Sequence, residues 1–470
     1  MAVPNRVLQT APTNDLIAGL VNGTSWVLDN SRTLSWVLSD LLPGQDFTWV
    51  DANQASALAQ GVFNSVAESV NIRFRYTGHV SDPGLTTADI AITGTFLPAF
   101  WGPGNALAWA YFPNSALSST LVASYGFDPS IYPTAPGDIW LNFSSFEVQG
   151  SSYAPGSTGF FLALHELGHA LGLKHPHDGG LTGRPTFADL SLAPLDSQLL
   201  TVMSYNEATS VATWFSAYGL PTEIGYPSTL MPLDVLALQY IYGPNLVTRA
   251  GNSNYALVDD NRLETFWDAG GIDTLVVQPG ATGWYIDLGI DVGEGQLVAL
   301  AVPTAWNSLT TGKFYFNIEN ATGGGFADTL LGSAEANILN GGAGADHLEG
   351  YGGNDRYFVD DPGDIVVETR ANGTDWVIAS VSYALPAHVE WLTLTGASAT
   401  HATGNALDNY LGGNAADNTL YGGLGADYFE GRAGNDRYVV DNSHDVVVET
   451  ASSKSSWQLG GLQMWSVATV

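Results

Sequence analysis

Residues 341–358 read GGAGADHLEGYGGNDRYF, a nine-residue pattern written twice. In each copy a glycine-rich half ends in aspartate, and an apolar residue follows two positions later. The glycines permit the positive φ angles of a tight turn, and the apolar half suits a short strand. Two such units would make one coil of a parallel β-roll, so that equivalent residues of alternate units stack in one column.

The pattern continues through two blocks of the C-terminal half. At nine-residue intervals the aspartate position is occupied by Asp328, Asn337, Asp346 and Asp355, and then by Asn409, Asn418, Asp427 and Asp436. The second block is a copy of the first, because NDRYFVD at 354–360 returns as NDRYVVD at 435–441. A double repeat of this kind predicts a solenoid, and the alternative is a string of plain turns or a flexible linker.

The aspartate columns of this roll predict calcium binding. Stacked carboxylates repel one another unless a cation lies between them, and the turn carbonyls complete an oxygen cage that suits calcium. Asparagine replaces aspartate in three of the four columns, so we expect fewer or weaker calcium sites than in a complete array. The predicted calcium ligands are Asp328, Asp346, Asp355, Asp427 and Asp436.

Composition excludes several classes of function. The 470-residue chain has 46 acidic and 14 basic side chains, a formal net charge of −32. Such a surface repels nucleic acids and anionic membranes, because binding phosphate requires clustered Lys and Arg. The chain has no cysteine, which removes disulfides, thiolate zinc sites and cysteine nucleophiles. Its sequence shows neither an apolar run long enough to span a membrane nor a cleavable N-terminal secretory signal.

The first 245 residues or so show the patterns of a mixed domain. Helices are predicted over 53–68, 159–173 and 232–243, where apolar residues recur at helical spacing or form a long buried run. Strands are predicted over 71–78 and 88–94, where the pattern is shorter and alternating. The order of these elements indicates an α+β fold.

An HExxH motif lies in the second predicted helix. One helical turn separates His165 from His169, so both imidazoles project from one face and can bind one metal ion, with Glu166 beside them. Gly172 permits a sharp exit from the helix, which would bring His175 round as a third nitrogen ligand. Three histidines with an open position form a catalytic zinc site. The alternative is three buried histidines satisfied by hydrogen bonds.

The stretch HELGHALGLKHP at 165–176 and VMSY at 202–205 resemble the serralysins, secreted bacterial zinc endopeptidases of the metzincin group. GDIWLN at 137–142, FWDAGGIDTL at 266–275 and IENATGG at 318–324 are similar to serralysin segments in the same order. The repeats resemble the RTX nonapeptides GGxGxDxUx of calcium-dependent bacterial exoproteins.

The resemblance implies roles for two further residues. Met203 would form the Met-turn beneath the zinc ligands, and Tyr205 would stabilise the oxyanion during turnover, the alternative for Tyr205 being a core aromatic. The resemblance also implies secretion to the extracellular medium by a type I machine that reads a C-terminal signal.

These observations predict a metzincin-type α+β zincin domain over 1–245 and a connecting β-rich segment over 246–322. A first RTX β-roll block with trailing strands follows over 323–403, and a second block with a divergent tail over 404–470. We expect a monomeric, secreted zinc endopeptidase that cleaves proteins or peptides. Zinc would activate a water with Glu166 as general base, and structural calcium would stabilise the repeats.

Two alternatives to this function stay open. The chain could be a calcium-dependent surface-binding or adhesin module that carries an inactive protease domain. It could also be a metallo-hydrolase that acts on something other than protein.

Overall fold

The computed structural model describes most of the chain from residue 226 onward and parts of the chain before it. The described residues are 3–5, 15–39, 52–80, 88–95, 108–110, 112–113, 137–142, 154–179, 184–206, 226–280, 282–292, 297–304, 311–369, 373–398, 400–448, 454–459 and 462–467. All candidate site residues named above lie within these ranges. The end of the divergent tail, 468–470, lies outside the described residues.

Helices occur in the N-terminal half, in the part that the structure describes. They are α1 (Asp15–Leu20), α2 (Ala52–Ser69), α3 (Thr158–Leu171) and α4 (Pro232–Tyr242). The strands of this half are β1 (Val3–Asn5), β2 (Ser25–Val27), β3 (Thr33–Ser39), β4 (Arg73–Val80), β5 (Ile90–Thr95), β6 (Ala108–Ala110) and β7 (Ile139–Asn142). The predicted helices and strands are confirmed, with ends shifted by one or two residues. None of the described helices is long and apolar enough to cross a membrane.

A sheet of five strands organises this half, in the order β4-β3-β5-β7-β6. β3 pairs in parallel with β4 and β5, and β5 pairs in parallel with β7, whereas the short edge strand β6 runs antiparallel to β7. Residues of the sheet and of α2 and α3 share one apolar core, which includes Trp36, Phe63, Phe160 and Leu164. A mixed sheet that shares its core with helices agrees with the predicted combination of elements.

α3 carries the HExxH motif, and both of its ends are fixed locally. The Ser157 hydroxyl caps the N-terminus by accepting a hydrogen bond from the Phe160 N–H. Gly172 ends the helix with a φ of 107°, and its N–H donates to the His169 carbonyl. A Cβ at residue 172 would also lie 2.3 Å from the Thr24 carbonyl oxygen. Both the positive φ and the close approach of the Thr24 carbonyl require glycine at residue 172. The predicted sharp exit from the helix is confirmed.

Asp138, next to β7, is a buried carboxylate that the metal chemistry does not use. One oxygen accepts a hydrogen bond from the Ala91 N–H at 2.8 Å, and burial raises the pKa of the carboxyl to about 8. The folded protein therefore keeps a proton that the unfolded chain has already lost. The protonated Asp138 therefore makes its full contribution to the free energy of unfolding below the pKa of the unfolded chain. As the pH rises towards 8 this free energy falls, by about 1.4 kcal/mol per pH unit at most.

We expect Asp138→Asn to remove this pH dependence, because asparagine keeps the acceptor oxygen and cannot ionise. The melting temperature of the variant relative to the native chain should rise between pH 5 and pH 7.5, two conditions that lie inside the titration range. Both proteins are measured in excess calcium. An identical difference at the two pH values would show that Asp138 is ionised in the folded state.

Strands dominate the C-terminal half. Their bounds are β8 (Asn254–Leu257), β9 (Leu263–Phe266), β10 (Thr274–Val277), β11 (Trp284–Asp291), β12 (Leu297–Pro303), β13 (Gly312–Tyr315), β14 (Asn320–Thr322), β15 (Thr329–Ser333), β16 (Ile338–Asn340), β17 (His347–Tyr351), β18 (Arg356–Val359), β19 (Ile365–Val367), β20 (Trp376–Ala379), β21 (Tyr383–Ala384), β22 (Trp391–Leu394), β23 (His401–Thr403), β24 (Tyr410–Gly412), β25 (Thr419–Tyr421), β26 (Tyr428–Glu430), β27 (Arg437–Val440), β28 (Val446–Val448), β29 (Lys454–Leu459) and β30 (Leu462–Val467).

Successive strands of the repeats alternate between two sheets. β14, β16 and β18 lie in a ten-stranded sheet, whereas β15, β17 and β19 lie in a seven-stranded sheet. Within the first sheet Asn320 pairs in parallel with Ile338, and Ile338 with Arg356, which is the predicted step of two repeat units. Both sheets contribute to one core, whose buried members include the predicted inward residues Leu330, Leu339, Leu348 and Tyr357. The predicted parallel β-roll with two units per coil is confirmed.

The ten-stranded sheet is continuous through both repeat blocks. Its order is β28-β26-β24-β22-β20-β18-β16-β14-β10-β8, so it begins in the connecting segment and passes the predicted boundary between the blocks without a break. From the trailing strands of the first block onward, β21, β23, β25, β27, β29 and β30 form the other sheet. The divergent tail closes that sheet as an antiparallel hairpin of β29 and β30.

The predicted connecting segment contributes to both halves. Leu263 and Phe314 belong to the core that contains α3, whereas Leu257 and Leu275 belong to the core of the roll. The segment therefore joins the two cores through buried apolar side chains.

Candidate metal sites

α3 and the turn after it bring the three predicted zinc ligands together. His165 and His169 are buried on one face of α3, and Gly172 turns the chain so that His175 faces them. The Nε2 atom of His175 lies 3.1 Å from His165 Nε2 and 3.0 Å from His169 Nε2. The spacing argument from the sequence thus predicted which three imidazoles meet.

The outer nitrogen of each imidazole has an oxygen partner. His165 Nδ1 lies 2.6 Å from the Val202 carbonyl oxygen, and His169 Nδ1 lies 2.8 Å from the Leu173 carbonyl oxygen. His175 Nδ1 lies 2.5 Å from an Asp178 carboxylate oxygen. Each Nδ1 therefore donates its proton to the oxygen partner, and the three Nε2 atoms face one another.

His165 and His169 are held in the neutral form that binds metal. Burial, followed by the neighbouring His175, lowers the pKa of His165 to about 3, and burial with the neighbouring imidazoles holds the pKa of His169 well below its usual range. Unprotonated nitrogens at about 3 Å would repel one another without a cation between them. A tetrahedral zinc site places nitrogen ligands about 3.3 Å apart, so the residues present fit zinc.

Glu166 is the buried carboxylate of the same helix turn. Its Oε2 is shielded from solvent and finds no hydrogen-bond partner in the described part of the chain. Burial raises the pKa of this carboxyl to about 8, against a backbone hydrogen bond from Ala110 that lowers it. A cation bound by the neighbouring imidazoles would favour the ionised carboxylate, which is the form that a general base requires.

The turn at 201–206 lies directly beneath this site. Met203 is fully buried, and a Cβ on Gly168 of α3 would lie 2.5 Å from its Sδ atom. Val202, one residue earlier, supplies the carbonyl that orients His165. Met203 therefore packs against the helix that carries His165 and His169, and its role in a Met-turn stays a prediction.

Asp234 anchors this turn, and sequence reasoning missed it. Its buried carboxylate accepts hydrogen bonds from the Thr201 hydroxyl at 2.5 Å, the Val202 N–H at 2.7 Å and the Met231 N–H at 3.0 Å. The carboxylate thus fixes the backbone whose carbonyl holds His165. Asp234 is distant from Thr201 in sequence, and nothing in the local pattern links the two.

Tyr205 lies beside the imidazoles rather than in the core. Its side chain is 62% exposed, which is incompatible with the alternative of a core aromatic. The ring stacks on His165 with 5.7 Å between centroids, and it packs against His175 at 4.4 Å. Burial of part of the ring and the Glu166 charge raise the pKa of the phenol to about 12, so it keeps its proton at neutral pH.

Lys174 holds the loop of the third histidine from the inside, and sequence reasoning missed it as well. The side chain is fully buried, and its ammonium donates to the carbonyl oxygens of Gly19 at 2.7 Å, Asp178 at 2.7 Å and His175 at 3.2 Å. The ammonium therefore ties α1 to the turn that presents His175.

The aspartates of the roll are buried and share one geometry. In each column Oδ1 accepts the backbone N–H of the equivalent residue one coil earlier, as Asp346 does from Asp328 and Asp427 from Asn409. The other oxygen faces a glycine: a Cβ on Gly341 would lie 2.1 Å from Asp346 Oδ2. For Asp346, Asp355 and Asp427 this second oxygen is buried without a hydrogen-bond partner among the residues described.

The first member of each column has a different environment. Asp328 uses both oxygens, because Oδ1 accepts the Trp284 N–H and Oδ2 accepts the Gly324 N–H. The asparagines that begin the other columns accept an N–H from four residues earlier and donate their amide to a carbonyl, as Asn337 does to Glu319 at 2.6 Å. A carboxylate oxygen would repel that carbonyl, so asparagine suits the start of a column.

Comparison with known proteins supports both halves of this description. The family model of the RTX calcium-binding nonapeptide repeat matches residues 322–357 and 403–438. A serralysin of Proteus mirabilis is 30% identical over 58% of this chain and 52% of its own length. Metalloprotease AprA of Pseudomonas entomophila is 31% identical over 46% of each chain. Serralysin C of Dickeya chrysanthemi is 33% identical over 44% of this chain and 43% of its own.

The chain is a serralysin-like protein with RTX repeats. It spans about half the length of these curated relatives. A serralysin of Photorhabdus laumondii is aligned over more of both chains, 71% of this one and 67% of its own, at 27% identity. The RTX repeats indicate that the serralysin-like chain binds calcium.

Two acidic clusters of the serralysin-like chain include residues outside the nonapeptide pattern. In the connecting segment Glu319 accepts the Asp273 N–H at 2.7 Å, and Asp273 Oδ2 is buried without a partner in the described ranges. Within the first block, carboxylate oxygens of Asp355, Glu368 and Asp375 converge within 4.8 Å. Sequence reasoning found Asp355 alone, because the others do not follow the nine-residue period.

Proposed function

We propose that this serralysin-like chain is a secreted zinc endopeptidase whose metal ligands are His165, His169 and His175. The observation that carries the proposal is the convergence of three histidine Nε2 atoms beside the buried, unpartnered oxygen of Glu166, within the residues described. A structural zinc site would be closed by four protein ligands, whereas three leave a position for substrate and water.

Zinc, when bound, polarises the scissile carbonyl and lowers the pKa of a water to about 7. Glu166 takes a proton from the attacking water and delivers it to the leaving amine nitrogen. Its burial keeps other proton donors away from the carboxylate, so the proton it accepts is retained for the leaving group. Tyr205, protonated and exposed beside His175, donates a hydrogen bond to the oxyanion, a contact worth about 3–4 kcal/mol in other enzymes.

We also propose which aspartates hold calcium in the repeats. Asp346, Asp355 and Asp427 each present a buried second oxygen towards a glycine turn, and Asp436 occupies the same position in its own column. Asp328 begins its column with both oxygens engaged, and its part is to close the roll by hydrogen bonds. The proposed calcium ligands are therefore four of the five aspartates predicted from spacing.

Secretion follows from the same family likeness. We propose export by a type I machine to the extracellular medium, where free calcium is abundant and the repeats can fill. The protein acts there on protein or peptide substrates as a monomer. The domain limits proposed for it remain 1–245, 246–322, 323–403 and 404–470.

The direct test is casein cleavage by the purified full chain in excess calcium. We expect activity that a zinc-selective chelator removes and that stoichiometric zinc restores, because the three converging imidazoles would hold zinc through their Nε2 atoms. Calcium stays in excess throughout, so the roll remains folded and its loss cannot explain the result. A chain with one zinc and full calcium that leaves casein and denatured protein intact would contradict the proposal and favour a binding module or a non-protein substrate.

A further inference from the structure

His177 lies two residues after the third zinc ligand and packs against the site. Its ring is nearly parallel to that of His175, with 5.0 Å between centroids and 8° between planes. The same ring lies 4.9 Å from the Tyr205 ring. His177 therefore contacts both a proposed ligand and the proposed oxyanion donor.

Asp196 connects His177 to the turn that carries Tyr205. One carboxylate oxygen lies 3.7 Å from His177 Nδ1, and the other accepts the Ser204 hydroxyl at 2.5 Å. The Asp196 carbonyl accepts a hydrogen bond from the Asn206 side chain at 3.1 Å. The residues on both sides of Tyr205 are thus bound to Asp196.

We propose that His177, supported by Asp196, is a positioning residue that holds the Tyr205 ring over the His165–His175 pair. The expected effect of His177 on catalysis rests on the proposed function. The contact between the His177 and Tyr205 rings does not depend on any reaction.

In the part of the chain that the structure describes, few contacts restrain the Tyr205 ring. The Ser204 and Asn206 side chains on either side bond to Asp196, but these bonds leave the phenol free to rotate about its own side-chain bonds. The ring is largely exposed, so its orientation depends on the imidazoles that it touches. His165 and His175 are committed to binding zinc, and His177 is the neighbour that can restrain the ring without being a ligand.

The contact is tested by tyrosine-selective NMR on the full chain in excess calcium and zinc, with the Tyr205 signal assigned from Tyr205→Phe. Rings packed against imidazoles show ring-current shifts. We expect His177→Ala to move the Tyr205 signal towards the value of a free tyrosine, and His177→Phe to keep it shifted. His401→Ala, an exposed histidine of the roll, is the control and should leave it unchanged. An unchanged Tyr205 signal in His177→Ala would overturn the proposal whatever the activity.

The kinetic test is a double-mutant cycle. We expect His177→Ala to lower kcat about tenfold with little change in KM, because a loosened donor costs rate in the transition state. His177→Phe should retain most of the native kcat, and both variants should still bind one zinc per chain. In a Tyr205→Phe background His177→Ala should have no further effect. Independent, multiplicative losses would show that His177 does not act through Tyr205. Absence of peptidase activity in the native chain would instead refute the proposed function, and the NMR result would then decide the positioning role alone.

Discussion

Glu166→Gln should lower casein cleavage by roughly 10²–10⁴-fold, which is the usual contribution of a general base. Glutamine has the same shape as glutamate, so packing in α3 is preserved, but its amide cannot accept the proton of the attacking water. The three imidazoles are unchanged, and the variant should bind one zinc with the affinity of the native chain.

The measurement is kcat/KM on a peptide substrate together with zinc analysis of the same samples. Glu68→Gln is the matched control, because Glu68 is an exposed residue at the end of α2 that forms a 3.5 Å ion pair with Arg249. It should be fully active. If zinc-loaded Glu166→Gln retained more than about a tenth of native activity, Glu166 could not be the general base.

Calcium removal should unfold the roll before the α3 half. The columns bury carboxylates whose charged neighbours are mostly other carboxylates, and burial with these neighbours raises the pKa of Asp346 and Asp355 to about 7. Without a cation these groups repel one another inside the structure. We expect a chelator to abolish the β signal in circular dichroism at a temperature where near-ultraviolet bands of the buried Trp36 region persist.

Asp346→Asn tests this at one column. Asparagine keeps the oxygen that accepts the Asp328 N–H and has nearly the same size as aspartate. The midpoint of calcium-induced folding should shift to higher calcium by on the order of tenfold or more, because a carboxylate ligand is lost. Glu335→Gln removes the same charge from an exposed turn and should leave the midpoint unchanged. Equal midpoints for Asp346→Asn and the native chain would exclude Asp346 as a ligand.

The parts of the site that sequence predicted are those fixed by local geometry. Helical periodicity places His165 and His169 on one face, and the glycine at 172 determines the exit that brings His175 to them. Asp234 and His177 were missed because their roles arise from packing between segments, and neither belongs to a periodic pattern. A buried carboxylate early in a helix, as in Asp234, is the only sequence signal that could have pointed to an anchor.

The sequence likewise predicts some features of the roll and not others. A nine-residue period predicts strands, coils and columns because each unit repeats the same backbone. It does not predict that the Asp346 carboxylate bonds to the backbone of the preceding coil, which requires the spacing between coils. The single sheet through both blocks also escaped prediction, since β20 and β22 lie in a stretch without the nonapeptide spacing.

The register of the ten-stranded sheet has a consequence for how the chain folds. Parallel sheets usually fold slowly, because their partners are far apart in sequence and a long loop must close before each pairing. Here each repeat strand pairs with a strand only one coil further along the chain, as Arg356 pairs with Trp376 and Trp376 with Trp391. The roll is therefore a parallel β structure with the low contact order of a helical protein. Its coils can form one upon another as the chain becomes available, and each needs only the coil before it as a template.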